Sequence, residues 1–230
     1  MLIILRHTLE HIKAPDKFLF NLFQIFNSKK YRNIPIFIEV PDVDWIFENK
    51  CYWDFFYEHV NYFSKHSLFN CIKDAGASVK SISNDFGGQY LWAEALINPT
   101  SVTENNPFSL VKYPENHFYE VVSRVNIEIE KLKIFSKVVV WGMASKGIIF
   151  TLNCSSGIDF CVDINKAKQH MYIPKMGLQI VPPEELPQGI RLSVICMNPN
   201  YYKEIYNTCI DLKLDFELYS PEIIKMNYHE

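Results

Sequence analysis

His59 stands in an aromatic setting, Phe56-Tyr57-Glu58-His59 followed by Tyr62 and Phe63. Imidazole is the side chain whose proton exchange suits neutral pH. Glu58 beside it can orient that ring only if the backbone turns there. The aromatic wall suits a ring-shaped ligand and excludes water. A histidine packed in an aromatic core, or simply exposed, fits the same residues. A second group is Arg6-His7-x-x-Glu10-His11. Two histidines four apart with a glutamate between them invite a metal reading. The order here is H-x-x-E-H, however, and the spacing offers no third ligand. No metal is expected, and a helix N-terminus at the C-terminal edge of a sheet is the preferred role.

Gly142 and Gly147 bracket a turn between an apolar run and a helix. Ile148 and Ile149 follow Gly147 where a phosphate-binding P-loop needs Lys and Ser or Thr, and the GxGxxG spacing is absent. What remains is a helix N-terminus able to receive phosphate oxygens, with Ser145 and Lys146 adding a donor and a charge. Asp163 follows 21 residues after Gly142, close to where dinucleotide folds place a ribose-binding acid. A tight strand-to-helix turn with no ligand explains these residues equally. In Asp85-Phe86-Gly87-Gly88-Gln89-Tyr90 the paired glycines permit left-handed backbone and close approach. A plain hairpin turn and a substrate loop both fit.

The elements that must position these groups alternate. Leu2–Leu5 reads as a strand buried on both faces. A helix follows, with Thr8 a candidate N-cap and Phe18, Leu19, Leu22, Phe23 and Phe26 at helical spacing. Residues 33–41 form the next strand. Ser67 to Gly76 outlines a short helix, N-capped by Ser67 and closed by a glycine. Two strands at 77–83 and 89–96 then flank the glycine turn. Residues 98–116 hold Pro99, Pro107 and Pro114 and read as a linker. Beyond it come a helix near 117–134, a strand at 137–141, a helix at 148–154, a strand at 158–162, a strand at 192–197, a helix near 200–213 and a strand at 215–219. The expected fold class is α/β: a β-α-β-α-β-β unit over residues 1–98, a linker over 99–116, and a small doubly wound Rossmann-like domain over 117–230; the resemblance set out below implies that the first unit is an incomplete methyltransferase-type, Rossmann-like sheet.

Composition narrows the function. The 230 residues carry 23 Lys and Arg against 26 Asp and Glu, net −3, so a broad basic face for nucleic acid is excluded. No apolar run approaches about 18 residues, so no membrane span is expected. The six cysteines form no CxxC pair and read as reduced thiols in a cytoplasmic protein. Only 8 glycines occur, and none precedes Gly76. A glycine-rich cofactor loop is therefore excluded from the first third of the sequence.

Taken together, the segments resemble the sugar C-methyltransferases, S-adenosylmethionine enzymes that act on nucleotide-linked keto-deoxysugars. The matching words run in one order: LIILRHTLEHI at 2–12, IFIEVPD at 36–42, FYEHVNYFS at 56–64, SLFNCIKDAGASV at 67–79 and GGQYLWAEA at 87–95. WGMASKG at 141–147, VDINKAKQHMYIP at 162–174, IVPPEEL at 180–186 and MNPNYYKEI at 197–205 complete the series. Members of the family join a zinc-binding domain, a methyltransferase domain and a C-terminal Rossmann-like domain, with the substrate between the last two.

The resemblance implies that Glu58 and His59 occupy catalytic positions, with His59 the general base. The family places a tyrosine two positions before the glutamate. Phe56 stands there, and the adjacent Tyr57 is the candidate phenol. Gly88, Gln89, Tyr90, Gly142, Ser145, Lys146 and Asn165 match the substrate side. Arg6, His7 and His11 match the cofactor side. The implied cofactor is S-adenosylmethionine, not held tightly by this chain alone, because the zinc-binding domain and the E-x-G-x-G-type loop are missing. The sequence then begins at what would be the fourth strand of the methyltransferase sheet. A nucleotide sugar, and a complementing N-terminal chain or a homo-oligomer, are the expected partners. A non-catalytic sugar-nucleotide-binding protein and a small Rossmann-type oxidoreductase are the rivals.

Overall fold

The computed structural model describes residues 1–26, 32–100, 105–155 and 157–226. The chain divides into two compact units, residues 1–51 with 57–115 and residues 52–56 with 116–230. Part of the expected linker, residues 101–104, lies outside the described residues. Residues 105–115 go with the first unit, where Phe108 packs against its core.

The first unit runs β1 (Ile3–Arg6), α1 (Pro15–Ile25), β2 (Ile34–Pro41), α2 (Val43–Glu48), α3 (Lys65–Asp74), β3 (Ser78–Asp85) and β4 (Tyr90–Ile97). Its strands lie in the order β1-β2-β4-β3. β1 runs parallel to β2, and β4 is antiparallel to both β2 and β3. Alternation builds β2: Ile34, Ile36, Ile38 and Val40 are buried, while Phe37 stacks on Trp92 across the other face. α1 buries Leu19 and Phe23, four apart, with Phe18, Leu22 and Phe26 partly covered beside them.

Three local expectations are corrected. β1 is not buried on both faces: Ile3 and Leu5 face the core, whereas Ile4 is 54% exposed. Among the described residues β1 pairs only with β2, so it is an outer strand with one covered face. Thr8 caps no helix, because its hydroxyl donates back to the Arg6 carbonyl at 2.9 Å. A single 3-10 turn, Leu9–His11, follows it, and α1 starts only at Pro15. Proline suits that first position because its missing N–H would have no helical partner there. Ser67 is not the N-cap of α3 either. Ser64 is, and Ser67 answers it from the third helical position in a reciprocal capping box.

The second unit is built on α4 (His117–Lys133), β5 (Lys137–Trp141), α5 (Ser145–Leu152), β6 (Phe160–Val162), β7 (Ile180–Val181), β8 (Arg191–Cys196), α6 (Tyr202–Asp211) and β9 (Asp215–Tyr219). All five strands are parallel, in the order β7-β6-β5-β8-β9. The strand order reverses beside β5, which puts the loops after β5 and β8 at a topological switch point. Val138 to Trp141 and Leu192 to Cys196 are buried without a break, as parallel strands covered on both faces require. α4 buries Val121, Val125 and Ile129 at four-residue spacing and packs against β5.

At the sheet's edge Glu217 accepts from Arg191 at 2.8 Å, from the Tyr219 hydroxyl at 2.7 Å and from Lys225. Lys225 and Tyr219 hold its carboxyl down at about 2. A depressed carboxylate stabilises the fold above its unfolded pKa and loses that contribution as pH falls through the folded one. Glu217→Gln is therefore expected to lower stability at pH 6 by a small margin that vanishes near pH 2. Urea melts at the two pH values check this, and a difference that grows on acidification would contradict it.

Candidate active site

β1 and β2 end on the same edge of the first sheet, and polar residues gather there. His7 follows β1 with φ +47, and its N–H donates to the Glu39 carbonyl at 3.2 Å. The Glu39 side chain, 2% exposed, projects from β2. Its Oε1 meets Arg6 through Nε at 3.2 Å and Nη2 at 3.1 Å, and His7 Nε2 at 3.0 Å. A buried carboxylate needs such partners. The sequence signal for Glu39 is a lone glutamate inside the apolar run IFIEV, and no motif spacing marks it.

The Leu9–His11 turn comes next and is fastened to residues 58–61. The Glu10 carbonyl accepts from Val60 N–H at 2.8 Å and Asn61 N–H at 3.1 Å. The Asn61 amide also donates to the Ile12 carbonyl. His11 Nδ1 lies 2.9 Å from the Glu58 carbonyl oxygen. These bonds bring the His59 ring edge-on to His11, centroids 4.9 Å apart, with Tyr62 at 5.9 Å. Burial, then the neighbouring His11, lowers the His59 pKa against a weaker upward pull from Glu58. His59 therefore stays neutral at a lower pH than a free imidazole. Burial raises the pKa of Glu10, opposed by His7 and His11.

The glycine turn borders the same edge. Tyr90 meets His7 edge-to-face at 5.1 Å, and the Gln89 carbonyl accepts from Asp42 N–H at 3.0 Å. At Gly88, φ +94, any Cβ would fall 2.8 Å from Trp45 Cδ1, so the backbone approach here admits only glycine. Asp42 caps α2 through Asp44 N–H at 3.0 Å and accepts from Asn84 at 2.7 Å. The structure thus brings Arg6, His7, His11, His59, Gly88, Gln89 and Tyr90 to one region. Tyr57 is not gathered in: it is 93% exposed. Glu58 joins through its backbone carbonyl, while its side chain is exposed.

In the second unit, Gly142 leaves β5 with φ +104 and donates to the Val162 carbonyl at 2.8 Å. Ser145 opens α5 at the switch point, three residues before the helix start expected at Ile148. Lys146 is ion-paired with Asp54 at 2.7 Å. Burial raises the Asp54 carboxyl pKa, and Lys146 opposes that shift. Asp163, at the end of β6, accepts from Asn165 N–H at 2.8 Å and pairs with Lys168 at 3.0 Å. The Asn165 side chain in turn accepts from Ala167 N–H at 3.0 Å. Lys146 and Asn165 therefore have structural partners already, and Asp163 has its own cation rather than an open carboxylate.

The described residues do not by themselves fit S-adenosylmethionine. Arg6 and His7 are both tied to Glu39, and no glycine loop precedes Gly76. Of the acids at that edge, Glu39 and Asp42 are already engaged by protein donors, and Glu10 is buried. No helix among the described residues is long and apolar enough to cross a membrane.

Residues 1–82 match a family model described as "Methyltransferase domain". Residues 118–212 match one described as "C-methyltransferase C-terminal domain". No curated protein matches the chain. The mixed α/β units with parallel strands fit a Rossmann-like methyltransferase fold, and such a domain implies S-adenosylmethionine dependence by family. The two matches, in this order along the chain, support a methyltransferase family for this protein.

Proposed function

We propose that this protein takes part in C-methylation of a nucleotide-linked keto-deoxysugar, with His59 as the general base. S-adenosylmethionine, held with cofactor-binding sequence from outside these 230 residues, supplies the methyl group. A complementing N-terminal chain is the proposed source of that sequence. The keto group of such a sugar acidifies the neighbouring ring proton. His59 removes that proton, and the resulting carbanion character at carbon is what a methyl donor meets. A positioned base of this kind contributes roughly 10²–10⁴-fold. The observation that carries the reading is the strap of residues 58–61. It sets His59 against the edge formed by Arg6, His7 and His11. The match of residues 118–212 supports carbon as the methylated atom. In the second unit, the turn at Gly142 and Ser145 is the proposed nucleotide-sugar side.

A non-catalytic sugar-nucleotide-binding role is the second reading. It is favoured by the engagement of Arg6, His7 and Lys146 with protein carboxylates. Calorimetric titration separates these. The protein is expected to bind a nucleoside-diphosphate keto-deoxyhexose and to bind S-adenosylmethionine weakly on its own. Tight cofactor binding without sugar-nucleotide binding would overturn the proposal. Sugar-nucleotide binding without proton exchange at the substrate carbon would leave the non-catalytic role.

A further inference from the structure

We propose that Glu10, His11 and His59 form a binding site for one divalent transition-metal ion of the zinc or cobalt(II) type. One ligand atom from each residue lies within 4.8 Å of the others. The third ligand that the H-x-x-E-H spacing lacks comes from a remote segment, the strap at 58–61. The site does not depend on the proposed methylation, since its geometry and its test stand without turnover.

Three observations support it. The first is the hydrogen bond of His11. A carbonyl oxygen only accepts, so His11 Nδ1, 2.9 Å from the Glu58 carbonyl, must carry the proton. That leaves the Nε2 lone pair as the ligating atom, with the carbonyl as the outer support that metal-bound histidines commonly use. The second is Glu10. It is 1% exposed, and neither carboxylate oxygen has a hydrogen bond among the described residues. His7 Nδ1 lies 3.5 Å from Glu10 Oε1. His7 already faces the Glu39 carboxylate through Nε2 at 3.0 Å. A buried carboxylate without hydrogen bonds is costly unless a cation meets it. The third is rigidity. Two backbone N–H groups of the strap bond the Glu10 carbonyl, so the two ligand-bearing segments are held together before any ion arrives.

Two imidazoles and one carboxylate suit a borderline ion with an open coordination position rather than calcium or magnesium, which prefer oxygen. Bonds of about 2.1 Å limit two ligands to about 4.2 Å apart. The observed spread of up to 4.8 Å thus needs a small closing rotation of the side chains. With an ion in place, the His59 lone pair is no longer open to a proton.

The test is a cobalt(II) titration of the full, tag-free, chelator-stripped protein, followed by visible absorption. One equivalent is expected to bind with the intense d–d bands of a four-coordinate site. His11→Ala and His59→Ala are expected to weaken binding by more than about 100-fold, beyond what loss of an outer support costs. Glu58→Gln is expected to leave cobalt binding unchanged, because Glu58 meets His11 through its backbone carbonyl. His11 is exposed and His59 half-buried, so both alanine variants should fold, and circular dichroism checks this. No saturable binding, or unchanged binding in His11→Ala, would overturn the site. Retained nucleotide-sugar binding in that case would leave the proposed function standing.

Discussion

His59→Ala is expected to reduce methyl transfer by about 10²–10⁴-fold, the contribution of a positioned general base. That corresponds to roughly 3–5 kcal/mol of transition-state free energy. The fold should survive, because His59 lies outside the buried apolar cluster of the first unit. The strap around it is held by backbone bonds from Val60 and Asn61, which the substitution leaves in place. Two measurements check the role. One is the methylation rate with cofactor-binding sequence supplied and a chelator present, which keeps metal binding out of the comparison. The other is exchange of the acidic ring proton of a nucleotide-linked ketosugar with deuterium oxide, which needs no cofactor. Turnover or exchange at the native rate in the alanine variant would remove His59 from the base role. Tyr57→Phe should have little effect on either, since Tyr57 projects into solvent.

The second large effect concerns stability. A Cβ added at Gly147 would sit 2.1 Å from the Gly142 carbonyl oxygen, 3.0 Å from its carbon and 2.9 Å from Met143 Cε. The methionine methyl can swing aside. The carbonyl cannot move unless the turn moves, and that turn is pinned by Gly142 N–H donating to Val162. Overpacking against fixed backbone falls at the upper end of its usual range, about 3 kcal/mol. For a chain of this size that is a drop in melting temperature of roughly 6–12 °C. Gly142→Ala makes the contrasting case. Its Cβ would meet Met197 Cβ at an ordinary 3.6 Å, leaving only the strain of φ +104. Thermal unfolding followed by near-ultraviolet dichroism compares the two. Gly147→Ala melting with the native protein would contradict the argument.

Much of the scaffold was legible because it is written in local patterns. Apolar runs at 137–141 and 192–197 marked parallel strands, and the glycine pair at 87–88 marked the hairpin. Capping was less legible, since Ser64 and Ser67 are both good caps and only the reciprocal geometry chooses between them. The polar edge was legible as a set of residue types and not as an arrangement. Glu39 serves Arg6 and His7 at once, and nothing in a strand's alternation announces which charges meet across a sheet. The pairing of the Leu9–His11 turn with residues 58–61 joins distant segments, so no spacing rule reaches it. That is why His59 and the H-x-x-E-H motif read as separate features. Lys146 looked available for a substrate because its partner, Asp54, lies far upstream.

The membership of Tyr52–Phe56 in the second unit has a consequence for dissecting the protein. The polypeptide enters that unit at Tyr52, leaves it after Phe56 and re-enters at Asn116. Tyr52 and Trp53 set their rings against Phe150, and Asp54 neutralises Lys146. A gene fragment starting at residue 117 would therefore express a domain with a hole in it: Phe150 without two of its ring neighbours and Lys146 without its counter-ion. The two halves of this protein are interlaced along the chain, and swapping one of them for a homologous module would need three junctions in the sequence instead of one.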